Sequence, residues 1–189
     1  PELRETFVRW FEGRFHVKLD PKEEVLPLIG SKEGIAHLTL AILNPGDIAL
    51  VPDPCYPVYK SATYLAGGLP HLMPLLESNG FLPDYAAIDT GALKRARLLF
   101  LNYPNNPTSA VATCEFFADS VKFAREHGIL LAQDAAYAEM TYDGYVAKLD
   151  SAGTPVWLKR IGGSSTADQY PRRVAVDGSG NVYVIGGFE

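Results

Sequence analysis

The chain has 189 residues, 47% of them hydrophobic, enough to bury one good core and to leave room for a small second unit. Its net charge of -5 argues against nucleic acid or an anionic membrane as partner, because both reward clustered Lys and Arg. The longest apolar runs, LLFL at 98–101 and GILLA at 128–132, are far too short to cross a bilayer, the first residues lack a signal peptide's basic and apolar blocks, and Cys55 and Cys114 have no metal-ligand spacing, so a soluble protein with two ordinary thiols and no metal is expected.

ELRETFVRWFEGRF predicts a helix with Leu3, Phe7, Trp10 and Phe11 on one face, and LDPKEE a turn with an acidic helix start. GSKEGIAHLTLAIL at 30–43 predicts a second helix ended by the turn NPGD, followed by the apolar strand DIALVPDP. YPVYKSATYLAGG at 56–68 reads as a helix stopped by two glycines. Strand PHLMPLLE, a polar loop, strand RARLLFLNY, helix CEFFADSVKFAREHG and strand ILLAQDAA follow. Strands alternating with helices predict an α/β fold with a parallel sheet. After Tyr142 the hydrophobic period changes to two: YVAKLD, PVWLKRIG, RRVAVD and NVYVIGG, joined by turn sequences, predict a four-stranded antiparallel β-meander. The expected division is 1–144 and 145–189, joined directly with no linker-like stretch.

A turn at Gly30 and Ser31 opening a helix aims free backbone N–H groups and the positive helix end at an anion, with the Ser31 hydroxyl as a further donor; the alternative is an ordinary capped helix start. Asp134 closes an apolar strand, a costly place for a carboxylate unless a cation compensates; the alternative is a solvated strand-end loop. Asn102 and Asn105 read as turn residues. The segments GSKEG at 30–34, DPCYPVY at 53–59, NYPNNPTSA at 102–110 and DAAYAE at 134–139 together resemble the class I/II, fold-type I pyridoxal-phosphate aminotransferases, especially the branch around LL-diaminopimelate aminotransferases. The resemblance covers residues 1–144 and implies an aminotransferase large-domain fragment. It implies that Ser31, Lys32 and Glu33 cradle the cofactor phosphate mainly through backbone, so that Lys32 is not the catalytic lysine. It implies that Tyr56 stacks on the pyridine ring, though a core tyrosine is the alternative. It further implies that Asn106 and Tyr137 meet the phenolic oxygen and that Asp134 pairs with the protonated ring nitrogen, keeping the ring an electron sink.

The family's Schiff-base lysine, in a Ser-x-x-Lys type motif, has no counterpart here. Lys148 and Lys159 are the only later lysines, and both read as surface positions on strands. The N-terminal arm, the later sheet strands and the small domain with its substrate-carboxylate arginine are also missing from the pattern. The expectation is a fragment without transaminase turnover that retains noncovalent pyridoxal 5'-phosphate or phosphate binding; the alternatives are an active aminotransferase or a purely structural protein. Residues 145–187 resemble a single unit of a bacterial β-propeller repeat, marked by AKLDSAGT, VW, GG and VAVDGSGNVYVIGG, and one copy cannot close a ring. Within it DGSGN reads as a hairpin turn rather than a calcium loop, Gly162 and Gly163 as a bend, and Trp157 and Tyr183 as packing residues. A chimera is therefore expected, in which the meander packs on or extends the α/β part. A homodimer in the cytoplasm completes the expectation.

Overall fold

Four short apolar runs build one parallel sheet. Strands β1 (Ile48–Asp53), β2 (Leu69–Pro74), β3 (Ala96–Leu101) and β4 (Leu130–Gln133) lie in the order β2-β1-β3-β4, and each neighbouring pair is parallel. β1 and β3 occupy the middle, where both faces are covered, which explains why each is a continuous apolar run rather than an alternating one. Ala49, Leu50, Val51 and Leu98 through Leu101 are fully buried. The outer strands keep partly exposed side chains, Leu69 and Leu72 on β2 and Leu130 on β4. This computed structural model describes residues 1–138 and, as backbone, the strands of residues 144–149, 155–161, 169–176 and 182–188. The chain divides into two compact units, Pro1–Tyr137 and Ala138–Glu189.

Because side chains alternate across the pleat, each central strand feeds two cores. Ile48, Leu50, Leu99 and Leu101 pack with Met73, Ala92 and Ile129 on one face. Ala49, Val51, Leu98 and Phe100 pack with Ile35, Val58 and Tyr59 on the other. Helices α2 (Ser31–Ile42) and α3 (Val58–Leu65) contribute to the second core, and α4 (Thr90–Arg95) and α5 (Cys114–His127) to the first. The result is the layered α/β arrangement expected from the alternation of elements. α5 starts where the Thr113 side chain accepts from the Phe116 N–H at 3.2 Å, and stops at Gly128, whose φ of 64° suits a residue without Cβ.

Three expectations need correction. Helix α1 (Glu2–Phe15) forms as predicted, yet none of its residues is buried. Its aromatic side chains instead pack on one another, with ring centroids 5.6 Å apart for Phe7 and Phe11 and 4.7 Å for Phe11 and Phe15, as spacing by four residues permits. The polar loop between β2 and β3 contains two short 3-10 turns, Glu77–Asn79 and Tyr85–Ala87, and helix α4. Asp84 and Asp89 supply the starts, each accepting a backbone N–H two or three residues ahead at 2.9 Å. In the second unit β5 (Gly144–Leu149) pairs antiparallel with β6 (Pro155–Ile161), and β7 (Gln169–Val176) with β8 (Val182–Phe188). These are two separate two-stranded sheets, so the single four-stranded meander is not what the described ladders form. The side chains of Lys148, Trp157, Lys159 and Tyr183, the DGSGN turn, and Gly162 and Gly163 lie outside the described residues.

Candidate functional site

The site is built where β3 and β4 end. Asp134 follows β4 directly, and its N–H donates to the Leu101 carbonyl at 2.8 Å, carrying the β3 to β4 contact one residue further. Its own carbonyl accepts from Asn102 Nδ2 at 2.8 Å. One carboxylate oxygen, Oδ2, accepts from the Tyr59 hydroxyl at 2.8 Å. The other, Oδ1, is buried with no hydrogen-bond partner among the described residues. A buried carboxylate oxygen with no donor is costly, so its environment is shaped for a donor or cation that arrives from elsewhere. Tyr59 reaches Asp134 because α3 begins soon after β1, and its ring stacks on Phe100 of β3 with centroids 4.8 Å apart and planes 14° from parallel. Burial first, and then the neighbouring Asp134 charge, push the Tyr59 phenol far above its usual range, so it donates as a neutral hydroxyl.

Asn102, at the end of β3, is 2% exposed. While its Nδ2 holds Asp134, its Oδ1 accepts the Asn106 N–H at 2.8 Å. Asn106 in turn donates from Nδ2 to the Tyr137 hydroxyl at 3.1 Å. Asn105 closes the loop on itself, accepting at Oδ1 from the Thr108 hydroxyl at 2.7 Å and donating from Nδ2 to the Asn102 carbonyl at 3.1 Å. The Asn106–Pro107 bond in this loop is cis.

Across a cleft of ≈ 750 Å³ stands the start of α2, and Ser31, Gly34, Ile35, Leu38, Phe100 and Asp134 are among its lining residues. Gly30 adopts φ 89° and ψ 157°, a backbone geometry that favours glycine, and no side chain caps α2 there. The first-turn N–H groups and the positive helix end are therefore available to an anion. Glu33 turns back and accepts the Ile29 N–H through Oε2 at 2.7 Å, holding the approach to the helix. The structure thus brings Ser31 and Asp134 to one cleft and couples Asn106 to Tyr137. Lys32 and Glu33 stand in the first turn of α2, and these two, like Asn106 and Tyr137, lie outside the cleft lining. Tyr56 also lies outside the lining, half-buried, with its ring edge-on to Tyr59 at 6.1 Å. The uncapped helix start can receive an anion, and the unpartnered Oδ1 a hydrogen-bond donor or cation. Among the described residues no lysine lines the cleft, and no group of His, Cys, Asp and Glu suits a metal. Lys60, on α3, is tied to Asp53 at 2.8 Å, a hydrogen bond that raises its ammonium pKa.

Two participants escaped sequence reasoning. Tyr59 lies in the same DPCYPVY segment as Tyr56, one helical turn further along. Asn102, expected as a turn residue, is a buried bridge. A signal for it existed: a polar residue that closes an apolar strand, the feature that singled out Asp134, is equally present after ARLLFL.

Comparison with known proteins finds aminotransferases. The LL-diaminopimelate aminotransferase of Desulforudis audaxviator is 59% identical over 145 residues, covering 77% of this chain and 37% of that protein. The LL-diaminopimelate aminotransferase of Moorella thermoacetica is 55% identical over the same length. The chain thus spans little more than a third of these relatives. Among solved structures, a "probable N-succinyldiaminopimelate aminotransferase" of Thermus thermophilus superposes with a TM-score of 0.70 at 45% identity, over 75% of this chain and 38% of that one. BacF of Bacillus subtilis, in its apo form, gives 0.68 at 46% identity, over 69% of this chain and 33% of its own. The pattern of the family described as aminotransferase class I and II matches residues 1–184, and the chain belongs to that family.

Proposed function

We propose that residues 1–138 form the cofactor-holding part of an amino-acid aminotransferase site that takes pyridoxal 5'-phosphate. The observation that carries this reading is the buried, unpartnered Oδ1 of Asp134, a residue that lines a cleft with Ser31 of the uncapped helix start. When bound, the cofactor supplies an electron sink for the carbanion formed at the substrate α-carbon. Asp134 receives the protonated ring nitrogen and keeps it charged. Asn106 and Tyr137 hold the phenolic oxygen, Tyr56 offers an aromatic face, and the backbone at Ser31, Lys32 and Glu33 holds the phosphate. The reaction in which such a site takes part in a full-length aminotransferase is transfer of an amino group between an amino acid and a 2-oxo acid. The names of the relatives favour a diaminopimelate-like amino acid as substrate.

With no lysine lining the cleft among the described residues, these 189 residues bind the cofactor noncovalently and do not turn over. Residues 145–187 are a propeller-like repeat joined to the aminotransferase part in a chimera, a reading supported by relatives that align over 145 residues or fewer. A homodimer in the cytoplasm fits the same reading; among the described residues no helix is long and apolar enough to cross a membrane.

A titration with pyridoxal 5'-phosphate, followed by absorbance, borohydride reduction and intact mass, tests the assignment. Saturable binding that Asp134→Ala weakens at least tenfold, with no single reduced adduct, is expected. Absence of saturable binding would reject the cofactor site, and a specific adduct on one lysine would reject noncovalent binding.

A further inference from the structure

Asp134 is held at every hydrogen-bonding atom except one. Its N–H goes to Leu101, its carbonyl is held by Asn102, and its Oδ2 is held by Tyr59. Tyr59 is itself immobilised. Its side chain is fully buried, its ring lies on Phe100, the Tyr56 ring abuts it edge-on, and its N–H donates to the Tyr56 carbonyl at 3.2 Å. A carboxylate rotates about its last side-chain torsion with little restraint and ordinarily offers either oxygen. Here the phenol has already chosen.

We propose that Tyr59 is a positioning residue for the cofactor: by occupying Oδ2 it leaves Oδ1 as the one oxygen that meets the ring nitrogen, and so makes the cleft selective for ligands with a protonated ring nitrogen. The proposal rests on reading the cleft as a pyridoxal-phosphate site. Its physical basis is preorganisation. A carboxylate fixed before the ligand arrives loses little side-chain freedom on binding, and the phenol, kept neutral by burial, retains the proton that it donates to Oδ2. The stacked ring does structural work as well, so removing the hydroxyl while keeping the ring separates the two contributions.

The test compares wild type with Tyr59→Phe, each titrated with pyridoxal 5'-phosphate and with its 1-deaza analogue, which carries C–H in place of the ring nitrogen. Binding is read by ligand absorbance and by calorimetry, and the ring nitrogen's protonation by the 15N shift of labelled cofactor. The variant is expected to bind the cofactor about tenfold more weakly, with a less protonated ring nitrogen, and to bind the deaza analogue as wild type does. Equal weakening of both ligands, or of neither, overturns the role of Tyr59 while leaving the cofactor site standing. Failure of wild type to bind pyridoxal 5'-phosphate at all overturns the site and the inference together. A second measurement needs no Tyr59 variant: wild type should show a slowly exchanging, downfield hydroxyl proton that vanishes in Asp134→Ala, and its absence from wild type overturns the proposal.

Discussion

Replacing Asn102 by alanine asks how the two polar segments of the site are tied together. The substitution removes the bond from Nδ2 to the Asp134 carbonyl and the bond from the Asn106 N–H to Oδ1, both 2.8 Å long. A typical hydrogen bond contributes about 1 kcal/mol net, and a buried partner left unsatisfied costs about 1–3 kcal/mol. Both partners are only partly buried, so water can recover some of the loss, and the expected destabilisation is about 2–4 kcal/mol. With a urea slope of about 2 kcal/mol/M this lowers the unfolding midpoint by about 1–2 M. Asn102→Asp sharpens the test. It keeps an acceptor for the Asn106 N–H but sets a carboxylate oxygen against the Asp134 carbonyl, so at neutral pH it should be at least as damaging as alanine. Acidification should restore part of the loss, because a protonated carboxyl can donate. Urea unfolding followed by circular dichroism and by fluorescence measures both variants. An alanine variant within about 0.5 kcal/mol of wild type would refute the bridge.

Two pH effects follow from buried or bonded groups. The Asp47 carboxylate is held below its ordinary value of 3.8, first by the Asn44 N–H that donates to it at 2.9 Å, with burial opposing and the Asn44 side chain and Arg97 assisting. A depressed carboxylate contributes stability above the unfolded value and loses it as pH falls through the folded one. Asp47→Ala should therefore cost about 1 kcal/mol at pH 7 and progressively less below pH 3.8, and a pH-independent penalty in urea unfolding would contradict this. At the alkaline end burial pushes the Tyr85 phenol up to about 12, despite a hydrogen bond with Ser120 that lowers it. Burial likewise raises Tyr103 and Tyr59. Raised phenols leave stability intact below the ordinary value of 10.0 and erode it as pH climbs toward the folded values. At pH about 11 the native protein should show less tyrosinate absorbance near 295 nm than the urea-unfolded chain, and equal absorbance would refute the burial argument.

The residues of the α/β unit announce their elements but only some of their partners. ALVP and LLFL announced strands, and the structure sets them in the centre as β1 and β3, where both faces are covered and apolar residues without alternation fit. The outer strands and α1 were harder, since a pattern specifies which face is apolar and not what will cover it. Leu3, Phe7 and Trp10 share a face as expected, yet all three remain exposed. Asp84 and Asp89 sat in plain view as helix starters inside a stretch read as a loop, because three- and six-residue helices are shorter than any hydrophobic period can register.

The site divides along the same line. Ser31, Asn106, Asp134 and Tyr137 stand out in the sequence because each belongs to a short motif, and the structure sets Ser31 and Asp134 on one cleft and bonds Asn106 to Tyr137. Tyr59 and Asn102 act on Asp134 from 75 and 32 residues away, and pairing over such distances is decided by the sheet. The order β2-β1-β3-β4 sets β3 against β4, which brings Asn102 beside Asp134. It also sets β1 against β3, so that the helix following β1 can lay Tyr59 on Phe100. Strand order thus converts one strand-end carboxylate into a carboxylate with a single free oxygen. That last step, from a motif residue to a carboxylate with one oxygen held, depends on topology, and it is the step on which the proposed selectivity for a ring nitrogen rests.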